Sequence, residues 1–369
     1  MSQKLYTFFV AINVSILGAG STYGVFLVKW ALLLKHFPET NRDKISVPSI
    51  GTISYSNSTE RSRNLVLEVL LDDLSHMPSF AGKDPVDILK DVHGYSNWRE
   101  MATQEEPGLL VIGSPLNTHV PYLRELMADT KVNHILCEPP LCHIQEIESL
   151  SRIVEQAREK KVSIGINQQY AFLYQQLKDL PLSSSVPTQD SGKFGDLLTD
   201  LTGLHIVFTT HGTRLWRKMQ AVGEQEILED LGPHVWEMIP KELRDKPITI
   251  KNVKKEGDNL FLNFVEYDLK FGDVPVKITL GYHRRLKNLK IILKKGKKDY
   301  EFSITGAVNP ETGEFTRWIE GKNYAYPFKH FLNTDLVKSS FIHALAGQPA
   351  VSIEDGGRTL EFIKTLHQR

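Results

Sequence analysis

The first half of the chain is a succession of short apolar runs, each stopped by a polar or glycine turn and followed by a longer segment. Val14-Ser-Ile-Leu17 leads through Gly18 into an apolar stretch from Val25 to Leu34 that reads as a helix. A second strand is expected over Ile45 to Tyr55, with a helix near Asn64 to Leu74. Asp91 to Asn97 brings a third unit and a short helix around Trp98 to Thr103. Leu109-Leu-Val-Ile-Gly113 is a continuous apolar run ended by glycine, the pattern of a strand covered on both faces. A helix near Val120 to Ala128, a strand His134-Ile-Leu-Cys137, a helix from Ile144 to Lys160 and a strand Val162 to Ile166 follow. Strands alternating with helices at this spacing predict a doubly wound parallel sheet.

The pattern then changes. Leu182 to Gly195, rich in Ser, Pro, Thr and Asp, reads as a loop or insertion. Strands are expected at Leu204–Thr209, Ile248–Lys254, Leu260–Tyr267, Val274–Tyr282, Lys287–Lys294 and Tyr300–Ile304. Gly257-Asp258, Gly272-Asp273 and Lys295-Gly296 look like hairpin turns, so this sheet is mainly antiparallel. Helices at Thr334–Ala346 and Gly356–His367 close the chain. The expected fold is therefore α/β: a doubly wound domain over 1–166, then an α+β domain with an open, mainly antiparallel sheet over 167–369. The last helices are free to pack back on the first domain. Phe261, Phe264, Ile278, Leu280, Ile291 and Leu293 alternate, which predicts an uncovered apolar sheet face. Monomers rarely expose such a face, so a homodimer or homotetramer through this sheet is expected.

Charge excludes some partners. Lys+Arg and Asp+Glu number 44 each among 369 residues, so no net field draws the chain to nucleic acid or an anionic membrane. The basic run Lys287 to Lys298 alternates with Leu289, Ile291 and Leu293 and reads as one solvated strand face. The apolar N-terminal run is broken by Asn13, Ser15, Gly18, Gly20, Ser21 and Thr22, where a spanning helix would be apolar. Only two cysteines occur, Cys137 and Cys142, and no His/Cys cluster has zinc spacing. A reducing cytoplasm and no metal are the expectation.

The glycine turn carries the first chemistry. Strand, Gly18-Ala-Gly20 and helix form the context of a dinucleotide fingerprint. Gly18 permits the tight turn, Gly20 lets backbone approach a pyrophosphate, and Ser21 and Thr22 open the helix whose N–H groups face that anion. Gly24 gives G-x-G-x-x-x-G, one residue longer than the usual spacing. After the second strand no acidic residue stands at Tyr55 to Asn57 to hold a ribose. Ser56, Ser58 and Arg61 instead suit a 2′-phosphate, which favours NADP, with NAD the alternative. The competing reading of this cluster is a solvated helix start capped by Ser58 or Thr59.

Four further segments, in order and spacing, resemble the glucose–fructose oxidoreductase / inositol dehydrogenase (Gfo/Idh/MocA) family. Ser114-Pro-Leu-Asn-Thr-His119 is similar to the family's T-P-N-x-x-H loop, and His134-Ile-Leu-Cys-Glu-Pro-Pro-Leu141 to its H-V-L-x-E-K-P-L. Ile227 to Glu237 is similar to L-x-D-x-G-x-H-x-x-D, and Phe341 to Pro349 with Ser352 to Gly356 to the C-terminal F-x-x-A-x-x-G-x-P…D-G. The resemblance implies a Rossmann domain, a nicotinamide cofactor and hydride exchange with a small molecule held against the second sheet. It places Ser114, Pro115, Asn117, His119 and Glu138 at the cofactor. Tyr95, Gln168, Gln169, Tyr170, Trp216 and Arg217 become candidate substrate contacts, and Asp230 and His234 the catalytic pair.

One departure stands out. Glu138 and Pro140 match E-K-P, but Pro139 falls on the lysine and has neither proton nor charge to offer. Asp230 and His234, four residues apart, would share one helix face. Glu237 takes the motif's last acidic position. Two function classes follow. One is an oxidoreductase acting on a sugar or cyclitol, or reducing a C=N or C=C bond as in the lysine-less biliverdin reductases. The other is a catalytically weakened nucleotide-binding scaffold or sensor.

Overall fold

The computed structural model describes residues 10–19, 22–36, 45–53, 84–90, 92–129, 132–168, 170–181, 192–211, 223–257, 262–283, 288–308, 315–322, 328–332 and 336–368. The chain opens with strands β1 (Val10–Ala11) and β2 (Val14–Leu17), helix α1 (Thr22–His36), and strands β3 (Ile45–Ser46) and β4 (Ile50–Ile53). Then come α2 (Pro85–Leu89), β5 (Val92–Gly94), α3 (Trp98–Glu105), β6 (Leu109–Ile112) and α4 (His119–Asp129). Strand β7 (His134–Cys137), helix α5 (Ile147–Lys160) and strand β8 (Ser163–Ile166) complete this stretch. Next are α6 (Leu173–Leu177), α7 (Phe194–Leu198), β9 (Gly203–His211), α8 (Glu224–Met238) and α9 (Lys241–Arg244). A run of strands follows: β10 (Ile248–Glu256), β11 (Leu262–Phe271), β12 (Val274–His283) and β13 (Asn288–Lys295). It continues with β14 (Lys298–Val308), β15 (Phe315–Lys322) and β16 (Phe328–Leu332). Helix α10 (Leu336–Leu345), β17 (Val351–Ser352) and α11 (Ile353–His367) come last.

Two compact units form. The first holds Met1–Asn167 with Asn309–Glu314 and Val337–Gly357. Its sheet runs β17-β8-β7-β6-β2-β4-β5. Every pairing is parallel except that of β17 with β8. Counted along the parallel strands alone, that is the 3-2-1-4-5-6 order of a Rossmann sheet, reversing between β2 and β6. One face is sealed by α1 through Leu27, Val28, Ala31 and Leu32, with Phe341, Ala344 and Leu345 of α10 in the same core. Gly165 has no Cβ, and one would lie 2.1 Å from Pro349 Cβ, so the β8 edge accepts the C-terminal segment closely.

The expected second strand is split. Ile45–Ser46 pairs with β1 in a separate two-stranded sheet, and only Ile50–Ile53 joins the main one. Pro48 lies between them and has no N–H for a ladder. The expected helix at Asn64 to Leu74 and most of the expected loop at Leu182 to Gly195 lie outside the described residues, though Phe194–Leu198 is helical.

The second unit holds Gln168–Val308, Phe315–Leu336 and Arg358–Arg369. Its eight-stranded sheet runs β10-β11-β12-β9-β13-β14-β15-β16, antiparallel except where β12 meets β9. Two strands beyond the expected six, β15 and β16, extend it. Gly272 and Gly296, at φ +60 and +61, make the hairpin turns. The expectation of an uncovered apolar face is corrected. Ile278, Leu280, Ile291 and Leu293 register with Leu204, Ile206 and Phe208 on the face that is buried, and α8 packs on β9 and β12. The other face is mixed and charged, with Lys277 paired to Glu266 and Asp268 and Lys290 to Glu301. Phe264 sits half-buried on that second face, and Phe261 lies outside the described residues. No described helix is long and apolar enough to cross a membrane.

Candidate active site

In the first unit the candidate cofactor groups gather where strand order reverses, at the carboxyl ends of β2 and β6, the position at which doubly wound sheets take ligands. Gly18 ends β2 at φ +85, and its N–H donates to Ile53 O at 2.8 Å. A Cβ there would stand 2.4 Å from Gly113 O and 2.6 Å from Ser114 N, so only glycine lets the two strand ends meet. The extra residue in the glycine spacing is resolved by Gly24, whose Cβ would fall 2.3 Å from Gly18 O. It plays the third glycine's part, seating the first turns of α1 against the strand turn. These positions fit a dinucleotide. Thr22 begins α1, while Gly20, Ser21, Ser56, Ser58 and Arg61 lie outside the described residues.

The loop after β6 is knotted internally. Ser114 Oγ and Thr118 Oγ1 are 2.6 Å apart, and Thr118 Oγ1 donates to Pro115 O at 2.6 Å. His119 is buried with both ring nitrogens at carbonyl oxygens: Nε2 2.7 Å from Ser114 O and Nδ1 3.0 Å from Pro140 O. Burial pushes its pKa down, against the two carbonyls, which raise it. His119 is therefore a brace between two loops and the Ser114 hydroxyl a tie within its own, whereas Pro115 and Asn117 face solvent, open to a cofactor. Glu138 is half-buried, its N–H donating to Ile112 O at 2.9 Å, and the Pro139–Pro140 peptide beside it is cis.

Tyr95 is committed elsewhere in this unit. Its hydroxyl donates to Glu105 Oε1, which also lies 2.7 Å from His93 Nδ1, and Ser49 Oγ donates to the same carboxylate. Burial would raise the Glu105 carboxyl, but the hydrogen bonds from Ser49, Tyr95 and His93 together hold it below its ordinary value. Burial and that carboxylate push the Tyr95 phenol up. The tyrosine is an interior strut.

In the second unit the candidate proton-handling groups ride on α8. Asp230 is exposed, and His234, one turn on, is 9% exposed. Gly232 between them clears α11, since a Cβ would touch Ile363 at 3.0 Å. The His234 ring is wedged between Tyr170 and Phe208, both with ring centres at 5.8 Å. Tyr170 therefore packs the imidazole rather than standing apart from it. Gln168 is buried, and its Oε1 has no hydrogen-bond partner among the described residues. Gln169, Trp216 and Arg217 lie outside them. Glu237, at the motif's last acidic position, is buried in an ion pair with Arg244 at 2.8 Å, and the guanidinium lies 5.7 Å from the centre of Trp236. That carboxylate anchors α9 to α8. The residue the sequence reading missed is Tyr282 on β12, whose hydroxyl donates to Asp230 Oδ2. Its alternation with Val276, Ile278 and Leu280 disguises it as core.

Residues 78–168 match the sequence profile of the GFO_IDH_MocA family, described as "Oxidoreductase family, NAD-binding Rossmann fold". The whole chain shares its fold with solved structures at low identity. UDP-N-acetylglucosamine 3-dehydrogenase from Acidithiobacillus ferrooxidans superposes at TM-score 0.61 and 12% identity, covering 98% of each chain. An inositol dehydrogenase homologue from Azotobacter vinelandii, complexed with NADH and myo-inositol, gives 0.59 at 14%, covering 96% of this chain and 94% of that one. A 3-ketoreductase from Actinomadura kijaniata, in complex with TDP-benzene and NADP, gives 0.57 at 14%, covering 96% of both. No curated protein sequence matches the chain. The resemblance to the Gfo/Idh/MocA oxidoreductases stands, and with it an NAD(P) cofactor and an NAD(P)-dependent oxidoreductase activity.

Proposed function

We propose that the chain exchanges hydride between NADP and a small hydroxylated or carbonyl substrate of the sugar or cyclitol kind, with His234 and Asp230 handling the proton. The observation that carries the cofactor half is the glycine junction, in which Gly18 and Gly24 keep the reversal point of the sheet clear, Gly18 directly against the backbone of Gly113. The nicotinamide, when bound, supplies the hydride chemistry. The chain then has one proton to move: an alcohol losing hydride must also lose its O–H proton, and a carbonyl gaining hydride must gain one. Imidazole, with an ordinary pKa near 6.5, does either close to neutrality. Asp230, exposed and acceptor-only when ionised, suits a substrate hydroxyl. C=N or C=C reduction asks for the same proton and remains the alternative substrate class.

The preference for NADP rests on Ser56, Ser58 and Arg61. A second reading, a nucleotide-binding scaffold or sensor, is favoured by Pro139, which removes the amine of E-K-P. The homo-oligomer through the second sheet now rests on its charged open face, and a cytoplasmic setting on a cysteine content of only two, Cys137 and Cys142. Fluorescence titration with NADPH and NADH, followed by a screen of polyols, ketoses, imines and bilin-like compounds for NADPH consumption, tests the reading. NADPH is expected to bind more tightly, with turnover on one substrate class. Tenfold tighter NADH overturns the preference, and binding without turnover favours the scaffold. Light scattering on the same sample reads assembly, and fractionation of expressing cells reads location.

A further inference from the structure

Helix α8 lies on β9 and β12, and its two candidate functional side chains each meet an aromatic residue of that sheet. His234 meets Phe208 of β9, and Asp230 meets Tyr282 of β12. The strands are parallel neighbours with Leu280 opposite Phe208, so Tyr282 is displaced from Phe208 by two residues along the sheet. Two strand residues span about 6.7 Å, and four helical residues, the step from Asp230 to His234, about 6 Å. The repeats match. One turn of helix therefore sets one side chain over each ring.

The two pairings differ in kind. Tyr170 meets His234 edge-on and Phe208 meets it at a tilt, whereas Tyr282 offers a directed donor. Tyr282 is 5% exposed while Asp230 is exposed. A solvent-facing carboxylate contributes little to stability, and left alone it samples several rotamers. Here one of its oxygens accepts from a buried hydroxyl, which holds the side chain in one direction. We propose that Tyr282 is a positioning residue for Asp230: its hydroxyl holds Oδ2 and so sets the direction of the carboxylate that takes a substrate hydroxyl. This rests on the reading that Asp230 and His234 act on substrate. Tyr282 cannot itself be the acid, since burial and then the neighbouring carboxylate push its phenol far above the ordinary range. Its proton is committed to Asp230, and Glu226, one turn earlier on α8, adds a second negative charge facing it.

The test is Tyr282→Phe, which removes one oxygen. A hydrogen bond to a carboxylate favours its charged form, so without the hydroxyl the carboxyl should titrate at higher pH. In protein labelled with ¹³C at aspartate carboxyls, the Asp230 midpoint is expected to rise, with NADPH affinity within twofold. On the substrate found by the NADPH-consumption screen, kcat should fall about tenfold and the acid limb of its pH profile should move up. An unmoved Asp230 midpoint overturns the proposal. If Tyr282→Phe does not fold, Asp230→Asn probes the bond from the exposed side. An unchanged Tyr282 ¹³Cζ shift in that variant overturns the proposal equally, and a changed one supports it. Should the midpoint move while His234→Ala and Asp230→Asn both keep full turnover, the bond stands and the assignment of proton handling to α8 falls.

Discussion

The two units build their candidate groups in opposite ways. In the first, each group stands within two residues of a strand's end: Gly18 after β2, Ser114 after β6, Glu138 after β7. Backbone topology alone sets their positions, and side chains such as His119 serve to hold one loop to another. In the second, the groups sit mid-helix, and their geometry comes from side chains of distant strands. Phe208 and Tyr282 are brought beneath α8 only by the complete sheet. A site made of backbone is damaged by adding atoms. A site made of side chains is damaged by removing them.

That contrast can be broken from either side. The largest effect is expected from Gly18→Val, which forces a branched side chain into φ +85 and places its Cβ 2.4 Å from Gly113 O. Strain and collision together should cost about 3 kcal/mol or more, with NADPH binding lost by fluorescence. A variant that binds NADPH normally would show that the strand ends part freely. In the second unit, His234→Ala removes atoms without straining backbone. Turnover should drop roughly 10²–10⁴-fold while NADPH affinity holds, as read by steady-state kinetics beside direct titration. Full turnover in this variant makes the imidazole structural.

The smallest effect sharpens the rule by exception, because one side-chain cluster does matter in the first unit. Glu105→Gln should destabilise by about 2–4 kcal/mol in urea unfolding at neutral pH. The sign of the pH dependence follows from its lowered pKa. Folding is favoured by the ionised carboxylate above the unfolded value near 4.3. That contribution disappears as pH falls through the lower folded value. The wild type should therefore lose stability across this acid range more steeply than Glu105→Gln. Parallel curves would mean that Ser49, His93 and Tyr95 do not depend on the charge.

Legibility in the sequence divides along the same line. Strand β6 is a continuous apolar run buried at every position, and β7 and β8 are buried everywhere except at their first residues, His134 and Ser163. The strand over Ile45 to Tyr55 was legible as strand but not as two, because its break depends on Pro48 and on where β1 lies. Gly24 was one residue out of place in the motif, and only the packing of α1 shows which atoms it must avoid. Ile278 and Ile291 alternate correctly, yet alternation does not say which face a helix will cover. Asp230 and His234 could be picked out by spacing, whereas Tyr282, 52 residues away from Asp230, carries no local mark.

The antiparallel pairing of β17 with β8 has a consequence for the order of events in synthesis. Val351 and Ser352 complete the edge of the nucleotide-binding sheet, and Phe341, Ala344 and Leu345 fill its core. All of them leave the ribosome after the entire second sheet. Domains emerging first usually fold first, but here the β8 edge and part of the apolar core are covered only by segments made last. An open strand edge is a template for pairing with other chains. The nascent protein is thus most exposed to misassembly during the translation of the second unit, and a ribosome stalled before residue 337 would release a nucleotide-binding sheet that lacks its closing strand.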